Sequence, residues 1–188
     1  MDNELLRQVM SRHTRVDEVC WKASAPLFRF RHFKKKELFL RQGDVCTHLG
    51  FIHKGYTRLF YNVDGTEITK DFNTEGYFCG SYASFISRQP SRFNVLAMEP
   101  LVVQVISHHD LMYLVEQYPA WQKFLRIAME QMFISKENRE AMFLLSSPEA
   151  RYNDLLKQHP DWVRRIPLKY LASYLGLAPE TLSRVRGR

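Results

Sequence analysis

The chain has 188 residues and a formal net charge of +7, with a sequence pI near 9.4. Its 45% hydrophobic content suffices for a medium domain plus a small one and excludes a disordered chain, while no apolar run is long enough to cross a bilayer. Met1–Met10 mixes Asp2, Glu4 and Arg7 with Leu5 and Leu6, unlike a secretory signal, so a cytoplasmic protein with an anionic partner is expected.

Two short helical patterns come first. Leu5, Leu6 and Val9 form one apolar stripe, and Val16, Val19 and Cys20 form the next. From about Pro26 to Ser107 short apolar stretches alternate with turn signals, which is β grammar. The expected strands are Leu27–Phe30, Glu37–Leu40, Leu49–His53, Tyr56–Asn62, Glu67–Phe72, Phe93–Ala97 and Leu101–Ile106. Asp64-Gly65 predicts a tight hairpin, because Gly accepts the positive φ of a two-residue turn. So many short strands imply a sandwich, jelly roll or small barrel.

A short helix over His109–Gln117 is expected to end at Tyr118-Pro119. Ala120–Leu145 then runs without Gly or Pro, with Phe124, Ala128, Met132, Ser135, Arg139 and Met142 at coiled-coil-like spacing. That stripe can pair with its copy in a second subunit or pack on its own β domain. Ser146-Ser147-Pro148-Glu149 reads as a hinge and helix start, and the next helix is expected over Pro148–Gln158, closed by His159-Pro160.

Leu168–Arg186 is the most informative stretch. Leu171, Ala172 and Leu175 make the inner face of one short helix, Gly176 suits a left-handed helix end, and Pro179 opens a second helix whose Leu182 and Val185 face inward. This is a helix-turn-helix pattern. It offers Pro179, Glu180, Thr181, Ser183 and Arg184 to a major groove, where Arg bonds guanine bidentately and Glu accepts from cytosine. Lys169, Arg186 and Arg188 suit phosphate contacts. From Ser147 onward there are eight basic residues against four acidic ones, so the basic charge gathers around the motif.

Cys20, Cys46 and Cys79 stand far apart without CxxC spacing, so buried reduced thiols are expected rather than disulfides or a thiol zinc site. His48, His53, His108 and His109 lack metal-ligand spacing, and no Ser-His-Asp, P-loop or dinucleotide fingerprint occurs. No metal site and no catalytic residue is therefore expected.

The order of parts resembles the Crp/Fnr family of regulators. The resemblance rests on Gly43-Asp44, Phe51-Ile52-His53-Lys54-Gly55, Arg58-Leu59-Phe60-Tyr61, Asp64-Gly65 and Gly76-Tyr77-Phe78-Cys79-Gly80, and on Leu171–Gly176 and Pro179–Arg184. It implies an α+β fold: a cyclic-nucleotide-binding-like effector domain built as a jelly-roll-like double-stranded β-helix over residues 1–118, a dimerisation helix over 119–146, and a helix-turn-helix DNA-binding domain over 147–188. It also implies a homodimer on a near-palindromic double-stranded operator, with RNA polymerase as a further partner, and a ligand acting through the hinge at Ser146-Ser147-Pro148.

By that resemblance the effector pocket comprises Gly80, Ser81, Tyr82, Ala83, Ser91 and Arg92. Members that bind cyclic AMP carry an acid directly after the second Gly and an Arg-Ser or Arg-Thr pair further on. Here Ser81 replaces the acid, and Ser91 stands where the Arg belongs, with Arg92 one place late. The effector is thus expected to be an unidentified small molecule other than cyclic AMP, and no cofactor is assigned. Cys20 alone does not make the family's iron-sulfur cluster. The sequence ends at Arg188, so the family's β-wing contacts are expected to be absent. Two other readings are a cupin-like metal-dependent β-barrel enzyme and a ligand-binding module that controls a protein partner. The first needs clustered histidines, and the second leaves the basic helix-turn-helix unused.

Overall fold

The computed structural model describes residues 3–187. The chain divides into two compact units, residues 1–129 and 130–188.

The first unit opens with α1 (Glu4–Ser11), which buries Leu6 and Met10, and α2 (Glu18–Ser24), which buries Cys20 and Ser24. Both pairs are four residues apart and so share one helical face. The Asp17 carboxylate caps α2 by accepting from the Cys20 N–H at 2.8 Å.

Eight strands follow: β1 (Arg29–Phe33), β2 (Leu38–Leu40), β3 (His48–Lys54), β4 (Thr57–Val63), β5 (Thr66–Asn73), β6 (Phe78–Cys79), β7 (Asn94–Ala97) and β8 (Leu101–Ser107). They form two antiparallel four-stranded sheets, ordered β1-β8-β3-β6 and β2-β7-β4-β5. The expected β-roll is present. Phe51, Ile52, Val95, Ala97, Val103 and Ile106 are each wholly buried in the core; Phe51 and Ile52 are neighbours in β3, so both faces of the β1-β8-β3-β6 sheet are covered. At the β4–β5 turn both Asp64 (φ +50°) and Gly65 (φ +86°) are left-handed, as a two-residue hairpin requires, and the Asn62 side chain accepts from the Gly65 N–H at 3.0 Å.

Two buried polar groups stitch this unit together. Gln104 in β8 is 0% exposed; its carbonyl accepts from His53 Nε2, and its amide donates to Asn3, which in turn donates to the Ala25 carbonyl. Arg58 in β4 donates to the Thr69 hydroxyl at 2.9 Å and to the Glu67 carboxylate, so its buried charge is paired across the hairpin.

Several element bounds differ from the sequence reading. Residues Ala25–Leu27 form a 3₁₀ turn, and β1 starts two residues later than expected. Within the 80–92 segment lies an unanticipated helix, α3 (Tyr82–Ser87). Then come α4 (His108–Gln117) and α5 (Pro119–Leu145), the latter burying Trp121 and Phe124.

The second unit holds the rest of α5 and four further helices: α6 (Pro148–Gln158), α7 (Pro160–Arg165), α8 (Leu168–Leu175) and α9 (Pro179–Arg186). Ser147 caps α6 and Pro148 occupies its first turn. α7 is not expected from the sequence, where His159-Pro160 reads as a helix end. Pro160 ends α6 and also opens the next helix, since a residue with fixed φ and no N–H costs nothing in a first turn. Trp162 then packs edge-on against Tyr174 at 5.5 Å.

Candidate nucleic-acid interface

α8 and α9 are joined by the turn Gly176–Ala178. Gly176 has φ +68°, and the N–H groups of Gly176 and Leu177 fold back to the carbonyls of Ser173 and Ala172 at 3.2 and 2.9 Å. This double bond pattern ends a helix sharply. Leu171, Ala172, Leu175 and Leu182 are each 0% exposed, so the two helices lock onto one small core together with Tyr152 and Leu155 of α6.

With those residues inside, Pro179, Glu180, Ser183, Arg184 and Arg186 lie exposed on α9, as does Lys169 on α8; Thr181 is half-buried. Arg188 lies outside the described residues. Glu180 sits in the first turn of α9, and Arg184 and Arg186 sit in its last, each on the side that the helix dipole favours. Arg184 makes no described ion pair.

Two arginines brace this arrangement, and sequence reasoning assigned neither a role there. Arg151 of α6 donates to the carbonyls of Phe143, Ser146 and Leu175 at 2.9–3.1 Å. It thereby caps the C-terminal ends of both α5 and α8. Arg139 of α5 donates to the Tyr174 carbonyl at 3.0 Å, with its guanidinium 4.0 Å from the Tyr174 ring centroid. It is also one of the residues of the α5 stripe.

The residues expected to line an effector pocket differ in exposure and in partners. Ser81 is 2% exposed and caps α3 by accepting from the Ser84 N–H. Ser91 is buried, and its hydroxyl donates to the Phe93 carbonyl at 2.8 Å. Arg92 and Ala83 are exposed; Gly80 and Tyr82 are half-buried, and burial pushes the Tyr82 phenol up from its usual range. The segment is pinned to the loop before β3: Gly43 N–H donates to the Ser91 carbonyl, and Ser91 N–H to the Asp44 carbonyl, both at 2.8 Å. The two hydroxyls that stand at the family's acid and Arg positions thus have structural partners.

All three cysteines are free and buried. Among the described residues no group of three or more His, Cys, Asp or Glu is arranged to hold a metal ion, and no helix is long and apolar enough to cross a membrane.

Comparison with known proteins places the first unit. Residues 30–118 match the model of the cyclic nucleotide-binding domain. No curated protein matches the sequence. Among solved structures the chain is similar to FixK2 from Bradyrhizobium japonicum, at 16% identity and a TM-score of 0.73, over 85% of this chain and 83% of that one. It is similar to the c-di-GMP responsive global regulator CLP of Xanthomonas campestris, at 16% identity and a TM-score of 0.72, over 91% and 90%. The catabolite activator protein of Thermus thermophilus matches at 22% identity and a TM-score of 0.56, over 100% and 83%. At these identities the likeness is one of fold.

Proposed function

We propose that the chain is a sequence-specific DNA-binding transcription regulator of Crp/Fnr type that acts as a homodimer. The observation that carries this reading is the α8–turn–α9 pair: its apolar residues are wholly buried, and Glu180, Ser183 and Arg184 remain on the open face of α9. Exposed residues of a helix that follows a tight turn are what reach base edges in a major groove. Arg184 supplies a bidentate donor for guanine and Glu180 an acceptor for cytosine. Lys169, Arg186 and Arg188 contact phosphates and add affinity without sequence information.

The homodimer reading draws on α5. Phe133, Ile134, Leu144 and Leu145 are 55–84% exposed in the single chain, an apolar surface that a second copy would cover. Two copies related by a two-fold axis read half-sites about 34 Å apart, so the operator is near-palindromic. Likeness to structures named as a global regulator and an activator supports the same reading.

Cyclic AMP is not the effector in this reading. Ser81 carries no charge to orient ribose hydroxyls, and the Ser91 hydroxyl is already committed to Phe93. RNA polymerase is a further partner of a regulator seated on its operator.

Selection of bound duplexes from a random pool, followed by salt titration of the selected site, tests the proposal. A near-palindromic consensus and an affinity that falls steeply with salt are expected. No enrichment, or binding insensitive to salt, overturns it.

A further inference from the structure

β1, β2 and the 41–48 segment line an open surface cavity of about 330 Å³ that shares no lining residue with the 80–92 segment. Its polar lining comes from Arg31, Arg41, Asp44, Thr47 and His48. We propose that this cavity is a separate ligand site that takes a small phosphate-bearing dianion, held by Arg31 and Arg41 and completed by His48.

The charge balance carries the inference. Arg31 and Arg41 form no ion pair within the described residues, and Asp44, the only carboxylate in the lining, bonds to neither. The Arg31 guanidinium rests 5.2 Å from the Phe33 ring centroid, a contact that positions it without neutralising it. Two guanidiniums against one carboxylate in the lining leave it net positive even with His48 neutral. Arginine is the side chain whose planar fork matches phosphate oxygens two at a time.

His48 adds a titratable imidazole to the lining. Its Nδ1 sits 2.9 Å from the Thr47 hydroxyl, which leaves Nε2 as the ring's open nitrogen. Burial holds the imidazole below its ordinary titration range, and Arg31 and then Arg29 push the same way against the opposing charge of Asp110 from α4. A dianion seated between the guanidiniums reverses the arginine contribution and draws a proton onto His48.

The site is also held in shape. The loop that carries Arg41, Asp44 and Thr47 is tied down by the Gly43–Ser91 and Ser91–Asp44 backbone bonds and by the Cys46 N–H donating to the Ser84 hydroxyl at 2.9 Å. Little backbone freedom is left to be lost on binding. The volume lies at the small end of ligand cavities, roughly 300–1,000 Å³, which suits a phosphate ester of a few carbons.

The test titrates the full chain with inorganic phosphate and with phenyl phosphate at constant ionic strength, with chloride as control. NMR follows the His48 imidazole and the Arg31 and Arg41 side-chain N–H groups. A saturable one-site shift and a rise in the His48 titration midpoint are expected. The exposed pair Arg31→Gln/Arg41→Gln should weaken binding at least about tenfold, since each fork contributes charge-assisted bonds. Arg31→Lys/Arg41→Lys, which keeps the charge but not the forks, should fall between. The proposal is overturned if chloride gives the same shifts, if the double Gln variant binds as the native chain does, or if the shifts map to Ser81–Arg92. Duplex selection on the same variants reads a different unit, so failure here leaves the DNA-binding proposal standing.

Discussion

The indole Nε1 of Trp121 donates to the Ser24 hydroxyl at 2.7 Å, joining the start of α5 to the end of α2 across 97 residues of sequence. Both residues are essentially unexposed. The Ser24 hydroxyl donates onward to the Cys20 carbonyl at 2.7 Å, and Phe28 stacks on the indole at 5.6 Å. Ser24→Ala strands a buried donor in an apolar pocket, so it should cost about 1–3 kcal/mol, read as a lower urea midpoint with an unchanged slope. Adding Trp121→Phe to Ser24→Ala should cost less than the sum of the two single changes, because the donor is then gone as well. A neutral Ser24→Ala would show that the bond adds nothing.

Gly176 sits where the α8–α9 turn demands both a left-handed backbone and the absence of a side chain. A Cβ there would lie 2.7 Å from Cε1 of Phe143 and 3.5 Å from Nη1 of Arg151. Gly176→Ala should therefore exceed the roughly 1–2 kcal/mol cost of the conformation alone. Gly176→Asn tolerates the conformation but not the contact. Relieving the contact with Phe143→Leu should recover part of the Gly176→Ala loss in thermal melts. A melting temperature equal to native for Gly176→Ala would contradict the turn geometry.

On the proposed function, Arg184 is a base-reading residue and Lys169 a phosphate contact, and two substitutions separate the roles. Arg184→Ala should weaken operator binding by about 1–3 kcal/mol and relax the preference at one base position. Lys169→Ala should weaken operator and random duplex alike and make the salt dependence shallower by about one unit of slope. Competition assays across single-base operator variants distinguish the two. An Arg184→Ala protein that keeps its full base preference would remove α9 from the recognition role.

Much of this architecture was legible because it depends on local pattern. The strands alternate, Asp64-Gly65 marks its own turn, and Leu171, Ala172, Gly176 and Leu182 signal a helix pair through spacing alone. What was not legible depends on distant groups or on residues that serve two purposes. Pro160 read as a stop, and its equal fitness to start α7 needed the position of Trp162 to become visible. α3 is nucleated by the Ser81 cap within a polar stretch that has no strong periodicity. Arg151 counted only as one basic residue among eight, because the three carbonyls that it holds belong to two helix ends, of α5 and α8, far apart in sequence. The cavity beside His48 is likewise assembled from β1, β2 and a loop, with no shared motif.

The three thiols should be inert in the native chain. Cys20, Cys46 and Cys79 are 1–3% exposed, and burial raises each thiol above its ordinary range, most strongly for Cys79, which Cys46 pushes up further. The thiolate is the reactive form, so both access and chemistry are withheld. Treatment with an aromatic disulfide reagent at neutral pH should label no cysteine in the folded protein and all three in denaturant. Rapid native labelling of any one would show that the core opens there.

Stability should depend on pH through His48. Its folded-state titration lies below the ordinary value of 6.5, because burial and Arg31 disfavour the imidazolium. In the window between the depressed value and 6.5 the unfolded chain binds more protons than the folded one, so acid favours unfolding. The contribution is fully present above 6.5 and is lost as pH falls through the window. His48→Gln cannot take up a proton and should flatten this part of the profile, with little change at pH 8. Urea midpoints taken at half-unit steps from pH 8 to pH 5 check both curves. A native midpoint that rises on acidification through this range, or a His48→Gln profile parallel to native, would mean that the imidazole is not held in a positive, desolvated setting.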